Sequence, residues 1–162
     1  MLKNTQLEIE RRWLLRKLPN FLDNFQEYLI TQWYTPAGRF RYMRLYSELS
    51  DTFGAKYYHT IKETIAHGTN KEIEKEITVD KYLEAVKSSF KVLTKLRYIM
   101  TENGLTYEID HINVNNQDYF FLEIELDDIN QKIEIPDYIH DFIIREVTGD
   151  KSLSNFNLAK KI

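Results

Sequence analysis

The feature that most restricts this chain is a period-2 alternation, repeated segment after segment, whose polar half is almost wholly charged. Successive side chains of a strand point to opposite faces. Leu7-Glu8-Ile9-Glu10-Arg11-Arg12-Trp13 therefore puts Glu8, Glu10 and Arg12 on one face and Leu7, Ile9 and Trp13 on the other. Lys71 to Ile77 repeats the pattern with Glu72, Glu74 and Glu76, and Leu122 to Leu126 with Glu123 and Glu125. Thr106 to Asp110 gathers Glu108 and Asp110, and Leu93 to Tyr98 gathers Lys95 and Arg97. The stretches Glu27 to Tyr34, Arg39 to Tyr46 and Tyr57 to Ile65 are also strand-like, the last carrying Thr60-Ile61-Lys62. With 5 Gly and 3 Pro against 11 Tyr and 9 Phe, breakers are few and strand formers many.

Helical patterns are fewer. Lys17 to Phe25 reads as a short helix with Pro19 near its start. Val79 to Phe90 has a cap-like Asp80, with Tyr82, Leu83, Val86 and Phe90 at helical spacing. Pro136 to Phe142 predicts a turn of helix, and Asp150 to Ile162 reads either way. No linker or repeat divides the chain, so residues 1–162 are expected to form a single domain. The expectation is an α+β fold, mainly β: an eight-stranded antiparallel closed β-barrel, a tunnel, with a few helices packed outside. Closure also removes exposed strand edges. The absence of Cys excludes disulfides, a Cys nucleophile and Cys-ligated zinc or iron–sulfur sites. Lys+Arg 22 against Asp+Glu 25 disfavours nucleic-acid or anionic-membrane partners. Neither an apolar signal region at Met1 to Gln6 nor a run of 18 apolar residues occurs, so a cytoplasmic location is expected.

A charged strand face is ordinarily the solvated side of an antiparallel sheet. Here acidic residues lie side by side on four strands, where like charges repel across neighbouring strands. Basic faces are concentrated too: Arg39 and Arg41 or Arg44, Lys62, then Lys95 and Arg97. If the barrel turns its apolar side chains outward, these charges line the interior. That is costly unless each is paired or meets a ligand. A polyanion with divalent metals satisfies both signs, because carboxylates bind Mg²⁺ or Mn²⁺ and Arg and Lys grip phosphate oxygens. Glu-x-Glu places two carboxylates about 7 Å apart on one face. Two such pairs across a narrow barrel can hold one or two ions, and metals about 3.5–4 Å apart suit in-line phosphoryl displacement.

These residues resemble a known family. Glu8-Ile9-Glu10-Arg11-Arg12-Trp13-Leu14 is similar to the E-x-E-x-K signature of CYTH domains, the triphosphate tunnel metalloenzymes. Further blocks follow in the family's order: Gln32 and Tyr34, an Arg-rich strand, Thr60-Ile61-Lys62, Glu72-x-Glu74-x-Glu76, Lys95-x-Arg97-Tyr98, Glu108-Ile109-Asp110, Glu123-Ile124-Glu125-Leu126, and Glu146 to Asp150 followed by Ser154-Asn155. The likeness is to short bacterial members that hydrolyse inorganic triphosphate. It implies an eight-stranded antiparallel tunnel with a metal-dependent triphosphatase site inside.

The resemblance implies roles. Glu8, Glu10 and Arg12 would be catalytic. Arg41, Arg44, Lys62, Lys95 and Arg97 would bind the phosphate chain, with Arg39 in reserve, since both parities cannot face the lumen without a bulge. Glu8, Glu10, Glu123 and Glu125 would hold Mg²⁺ or Mn²⁺. Glu74, Glu76, Glu108 and Asp110 would complete the metal shell or orient the basic residues. Glu72 reads as tunnel rim or plain surface. The expected partner is a small-molecule triphosphate, and a homodimer is allowed. Three features depart from the family: Arg12 stands for the signature Lys, Tyr119-Phe120-Phe121 stands where Gly-Leu is usual, and the His-Phe-Ala-Arg block of class IV adenylate cyclases is missing. Alternatives are a non-catalytic polyphosphate or nucleoside-triphosphate module, a thiamine-triphosphatase, a class IV adenylate cyclase, and a lipocalin-like barrel. The last is disfavoured by the charged inward faces. His59, His67, His111 and His140 have no ligand spacing and read as structural or exposed, and Trp13 and Trp33 as exterior packing.

Overall fold

The computed structural model describes residues 5–20, 22–48 and 54–162. The N-terminal stretch Met1 to Asn4, part of the signal-peptide reading, and position 21 of the expected first helix lie outside them.

Each alternating segment forms a strand: β1 Thr5–Leu15, β2 Gln26–Thr35, β3 Gly38–Leu45, β4 Lys56–Ala66, β5 Thr69–Ile77, β6 Lys91–Glu102, β7 Leu105–Val114 and β8 Gln117–Leu126. They pair antiparallel in the order β6-β2-β3-β4-β5-β1-β8-β7, and β7 returns to β6, which closes an eight-stranded barrel. Two short strands lie on this wall: β9 Ile143–Glu146 on β1, and β10 Lys160–Lys161 on β6.

Helices are short. In α1, Val79–Val86, Thr78 rather than Asp80 is the N-cap, and its hydroxyl accepts from the Lys81 N–H. Tyr82 is buried on this helix and accepts a 2.6 Å bond from the Trp33 indole, whereas Leu83 and Phe90 are exposed. The turn in 136–142 is α2, Asp137–His140, and the last segment contains α3, Asn155–Leu158. The helix expected from Lys17 to Phe25 is absent among the described residues, which form bends and a turn. There Leu18, Leu22 and Phe25 all pack against one apolar cluster, and a bent segment can deliver all three to a curved barrel wall.

Two apolar clusters hold the fold. The first, around Trp13, Ile109, Leu122, Ile124 and Ile139, lies outside β1, β7 and β8. It is covered by irregular chain carrying Ile133 and Ile135 and by the short helix α2, which brings Tyr138 and Ile139. The second joins Leu93, Ile112 and Phe121 on the inner face of the barrel to Val147, Leu153, Leu158 and Ala159. The segment 147–159 therefore closes one end of the lumen. Gly68, at the β4–β5 hairpin tip, has φ +64°, and a Cβ there would meet the Glu10 carbonyl at 2.9 Å. Its own carbonyl accepts the Glu10 N–H at 3.0 Å, so this close approach fixes the backbone beneath a central acidic residue.

Candidate active site

Cross-strand register determines what the lumen contains, because directly paired residues of an antiparallel sheet share a face. Glu10 pairs with Glu125 and Arg12 with Glu123; Glu123 pairs with Glu108, and Phe121 with Asp110. Asp110 pairs with Arg97, and Lys95 with Ile30. Gln32 and Tyr34 pair with Arg41 and Arg39; Arg39 with Thr60, Thr60 with Glu74 and Lys62 with Glu72. All of these side chains line one continuous inner face.

One sequence expectation is corrected here. Arg44 pairs with Leu29 and faces outward, whereas Arg39 and Arg41 face the lumen. The inward residue of that pair of strands is set by Gln32 and Tyr34 on β2, and β3 has no bulge that could bring both parities inside. The remaining candidates all lie on the inner face, including Glu72.

The deepest charges form a sealed network. Asp110 is 0% exposed and accepts from Lys95 Nζ at 2.8 Å and from Arg97 Nε and Nη2 at 2.7 and 2.8 Å. Burial would raise its carboxyl, but Arg97 and Lys95 outweigh this and hold it well below the usual carboxylate range. Arg97 also reaches Glu108 at 2.6 Å and Glu123 at 3.6 Å. Burial and the adjacent Arg97 lower Lys95 to about 8. Arg12 donates to Glu123, to Asn155 Oδ1 at 3.0 Å and to the Leu153 carbonyl at 3.2 Å, and its guanidinium lies 3.8 Å over the Phe121 ring. Asn155 and Leu153 are thus part of the site. The sequence shows Asn155 only as part of a family-like block with Ser154 and gives it no role, since only the fold brings α3 to β1.

Nearer the open end, Lys62 Nζ lies 2.6 Å from Glu8, 3.9 Å from Glu10 and 4.0 Å from Glu72. Burial pushes Glu72 up to about 7, aided by a hydrogen bond shared with Glu8. That bond and Lys62 together outweigh burial at Glu8 and bring it down to about 2. Glu10 is raised well above the ordinary value, first by burial and then by Glu123 and Glu8. Arg39 and Arg41 reach Glu74 at 3.8 and 3.5 Å, and the Nε atoms of Arg12, Arg39 and Arg41 are buried without partners.

A cavity of about 190 Å³ among Gln6, Tyr58, Glu72, Glu74 and Glu76 forms the open mouth. A larger one, about 650 Å³, lies outside the barrel between Arg11 and residues 129–134, away from this charge network. The histidines outside the lumen have structural contacts: His59 stacks on Phe40, and His111 stacks on Phe120 and meets Asp118 at 2.9 Å.

A divalent metal can be tested against the donors present. Among the described residues no three Asp, Glu or His groups already stand as a metal cage. The central lumen nevertheless sets nine carboxylates (Glu8, Glu10, Glu72, Glu74, Glu76, Glu108, Asp110, Glu123, Glu125) against six cations (Arg12, Arg39, Arg41, Lys62, Lys95, Arg97). The shortage of positive charge is felt at Glu10, which pairs across the strands with Glu125 and, among the described residues, has Lys62 at 3.9 Å as its one counter-ion. Hard oxygen donors with a deficit of cations fit Mg²⁺ or Mn²⁺.

No family model matches the chain. It is 37% identical over 110 residues to an inorganic triphosphatase of Acetivibrio thermocellus, across 67% of this chain and 68% of that protein. Solved structures share the fold at lower identity. The hypothetical protein NE1496 is 23% identical with a TM-score of 0.58, covering 96% of this chain and 99% of that one. A Hippeastrum protein studied as an adenylyl cyclase, with a dominant triphosphatase activity, is 17% identical with a TM-score of 0.50, covering 75% and 80%.

Proposed function

We propose, from the premise that this chain belongs to the CYTH-type triphosphate tunnel family of the inorganic triphosphatases, that it hydrolyses inorganic triphosphate inside the barrel with a bound divalent cation. The observation that carries this reading is the lumen itself: cations and carboxylates from all strands but β2 converge on one cavity that a compact polyanion can fill. Arg39, Arg41 and Lys62 line the open half on adjacent strands and would neutralise and align the phosphate chain. Their partners hold them loosely, at 3.4 Å or more for both arginines, so phosphate oxygens can replace those contacts. Lys95 and Arg97 are held more firmly by Asp110 and keep the inner wall positive.

Glu8, Glu10 and Glu125, with Glu123 behind them, would hold Mg²⁺ or Mn²⁺. When bound, the metal would polarise a phosphoryl group and lower the pKa of a coordinated water. Glu10 is the first-strand carboxylate best able to take the water's proton, because Lys62 engages Glu8 at 2.6 Å and leaves Glu10 freer at 3.9 Å. Arg12 ties Glu123 to the segment that closes the lumen, so its guanidinium acts as a brace as well as a charge.

That bracing also favours a second reading, a module that captures triphosphate without turnover. The test is phosphate release from inorganic triphosphate with Mg²⁺, with Mn²⁺ and with chelator. Release that needs metal and is abolished in Glu10→Ala is the expected result. Binding that raises the melting temperature without release would replace hydrolysis by capture.

A further inference from the structure

The edge of β1 that faces β5 and β9 is interrupted at two of its charged residues. β5 pairs with this edge as far as Ile9, and β9 takes over at Trp13. Glu10 and Arg12 lie in the gap. Both direct their backbone N–H groups into it, since alternate residues of an antiparallel strand bond to the same side. Each N–H finds its acceptor outside a ladder. Glu10 donates to the Gly68 carbonyl at 3.0 Å, at the tip of the β4–β5 hairpin. Arg12 donates to the Thr148 hydroxyl at 2.9 Å, and its own carbonyl accepts from the Val147 N–H at 2.7 Å. A side-chain oxygen thus stands where a neighbouring strand would offer a carbonyl.

The hydroxyl is itself oriented. It donates to Glu146 Oε2 at 2.7 Å, and Glu146 accepts from Arg11 Nε and Nη2 at 3.0 and 2.6 Å. Arg11, and then Thr148, hold the Glu146 carboxyl below its ordinary range, so it stays a charged acceptor. With its proton given to Glu146, the Thr148 oxygen turns a lone pair to the Arg12 N–H. The methyl group of Thr148 faces the hairpin tip, where a Cβ added to Gly68 would come within 3.2 Å of it. Thr148 therefore touches both sides of the gap. Arg11 belongs to the outer wall, paired with the outward Ile124, so the device is anchored outside the lumen.

We infer that Thr148 is a positioning residue of the hydrolytic site: its hydroxyl, oriented by Glu146, replaces the missing ladder acceptor and fixes the backbone from which Glu10 and Arg12 enter the lumen. The inference rests on the triphosphatase reading above and adds a residue that acts without touching substrate. Arg39, Arg41 and Lys62, which would grip the phosphate chain, stand on β3 and β4 and do not depend on this gap. Loss of the hydroxyl should therefore fall on kcat rather than on KM.

Thr148→Val keeps the branched shape and removes the hydroxyl, whereas Thr148→Ser keeps the hydroxyl and removes the methyl group. With Mg²⁺ and inorganic triphosphate, at a temperature where each variant is folded, Thr148→Val should lower kcat about tenfold or more, as for a buried N–H left without its acceptor. KM should stay within about twofold, and Thr148→Ser should turn over like the wild type. In metal-free protein, NMR-detected amide exchange at the Arg12 N–H should quicken about tenfold or more in Thr148→Val and not in Thr148→Ser. Equal losses of kcat in the two variants would assign the effect to packing of the methyl group and overturn the inference. Faster exchange with kcat unchanged would leave a local contact without a positioning role, and lost kcat without faster exchange would place the cause elsewhere; either overturns it. Should Thr148→Val not fold, Glu146→Ala, at an exposed side chain, carries the test: kcat should fall with KM kept, and an unchanged kcat overturns the role. Wild-type turnover in the same assay leaves hydrolysis standing whatever the variants do. If the wild type releases no phosphate, the hydrolytic reading falls alone. The positioning role is then read from the Mg²⁺ concentration that half-saturates the thermal shift, expected to be higher in Thr148→Val than in Thr148→Ser, and equal values overturn it.

Discussion

Asp110 shows how a single side chain organises the inner wall. It is fully buried, yet it accepts from two cations of the neighbouring strand, so the charges are tolerable only as a set. Removing one member leaves the others desolvated without compensation. Asp110→Asn should therefore cost about 3–5 kcal/mol at neutral pH, read from chemical denaturation. The pH dependence has a definite sign. The folded-state pKa lies below the unfolded value of 3.8, so this contribution is present above about pH 4 and is lost as pH falls below it. The stability gap between wild type and Asp110→Asn should accordingly narrow on acidification below pH 4. A gap that widened there would contradict the ion-paired assignment. The same logic applies to Arg39, Arg41 and Arg44: all three carry the same charge, but only the two with inward parity reach Glu74.

At the level of elements, the strands were legible because period-2 alternation with charged inner positions survives barrel closure unchanged. All eight strand segments appear, and all but β3 are longer than the stretch of pattern that marked them. What periodicity does not encode is absolute parity in a segment such as Arg39-Phe40-Arg41-Tyr42-Met43-Arg44, where both faces carry plausible inward residues until β2 is paired beside it. Irregular chain was also hidden. Leu18, Leu22 and Phe25 mimic helical spacing but are used by bends, and the closure of the lumen by 147–159 depends on contacts far apart in sequence. Arg12 couples these levels, since one guanidinium spans Glu123 on β8 and both Leu153 and Asn155. Arg12→Lys restores the family's residue type but cannot make the forked contacts. It should lower the melting temperature by a few degrees, for about 1–2 kcal/mol of lost hydrogen bonding, and speed proteolysis within 147–159. Unaltered digestion there would show that packing of Leu153 and Leu158 alone holds the closure.

Across the whole molecule, an exterior that buries apolar side chains under irregular chain leaves the charges inside, and they do not balance. Nine carboxylates against six cations make the metal-free lumen electrostatically unfavourable. The imbalance is concentrated at Glu10, raised by burial and then by Glu123 and Glu8, and at Glu108, which burial raises to about 7. A polyanion entering alone meets closely spaced carboxylates, so metal and substrate should assist one another's binding. In the absence of substrate, Mg²⁺ or Mn²⁺ at 100 times its Kd should stabilise the wild type by about 2.7 kcal/mol, which is about 5–10 °C in melting temperature for a chain of this size. The double variant Glu10→Gln, Glu125→Gln should lose most of that rise. Its metal-free melting temperature should nevertheless equal or exceed the wild type's, because a neutral amide at half-buried Glu10 relieves its repulsion with Glu123 and Glu8. Loss of a contributor to packing alone would lower metal-free stability and leave the metal response intact. The two explanations therefore move the two melting curves in opposite directions, and thermal scans with added metal and with chelator decide between them.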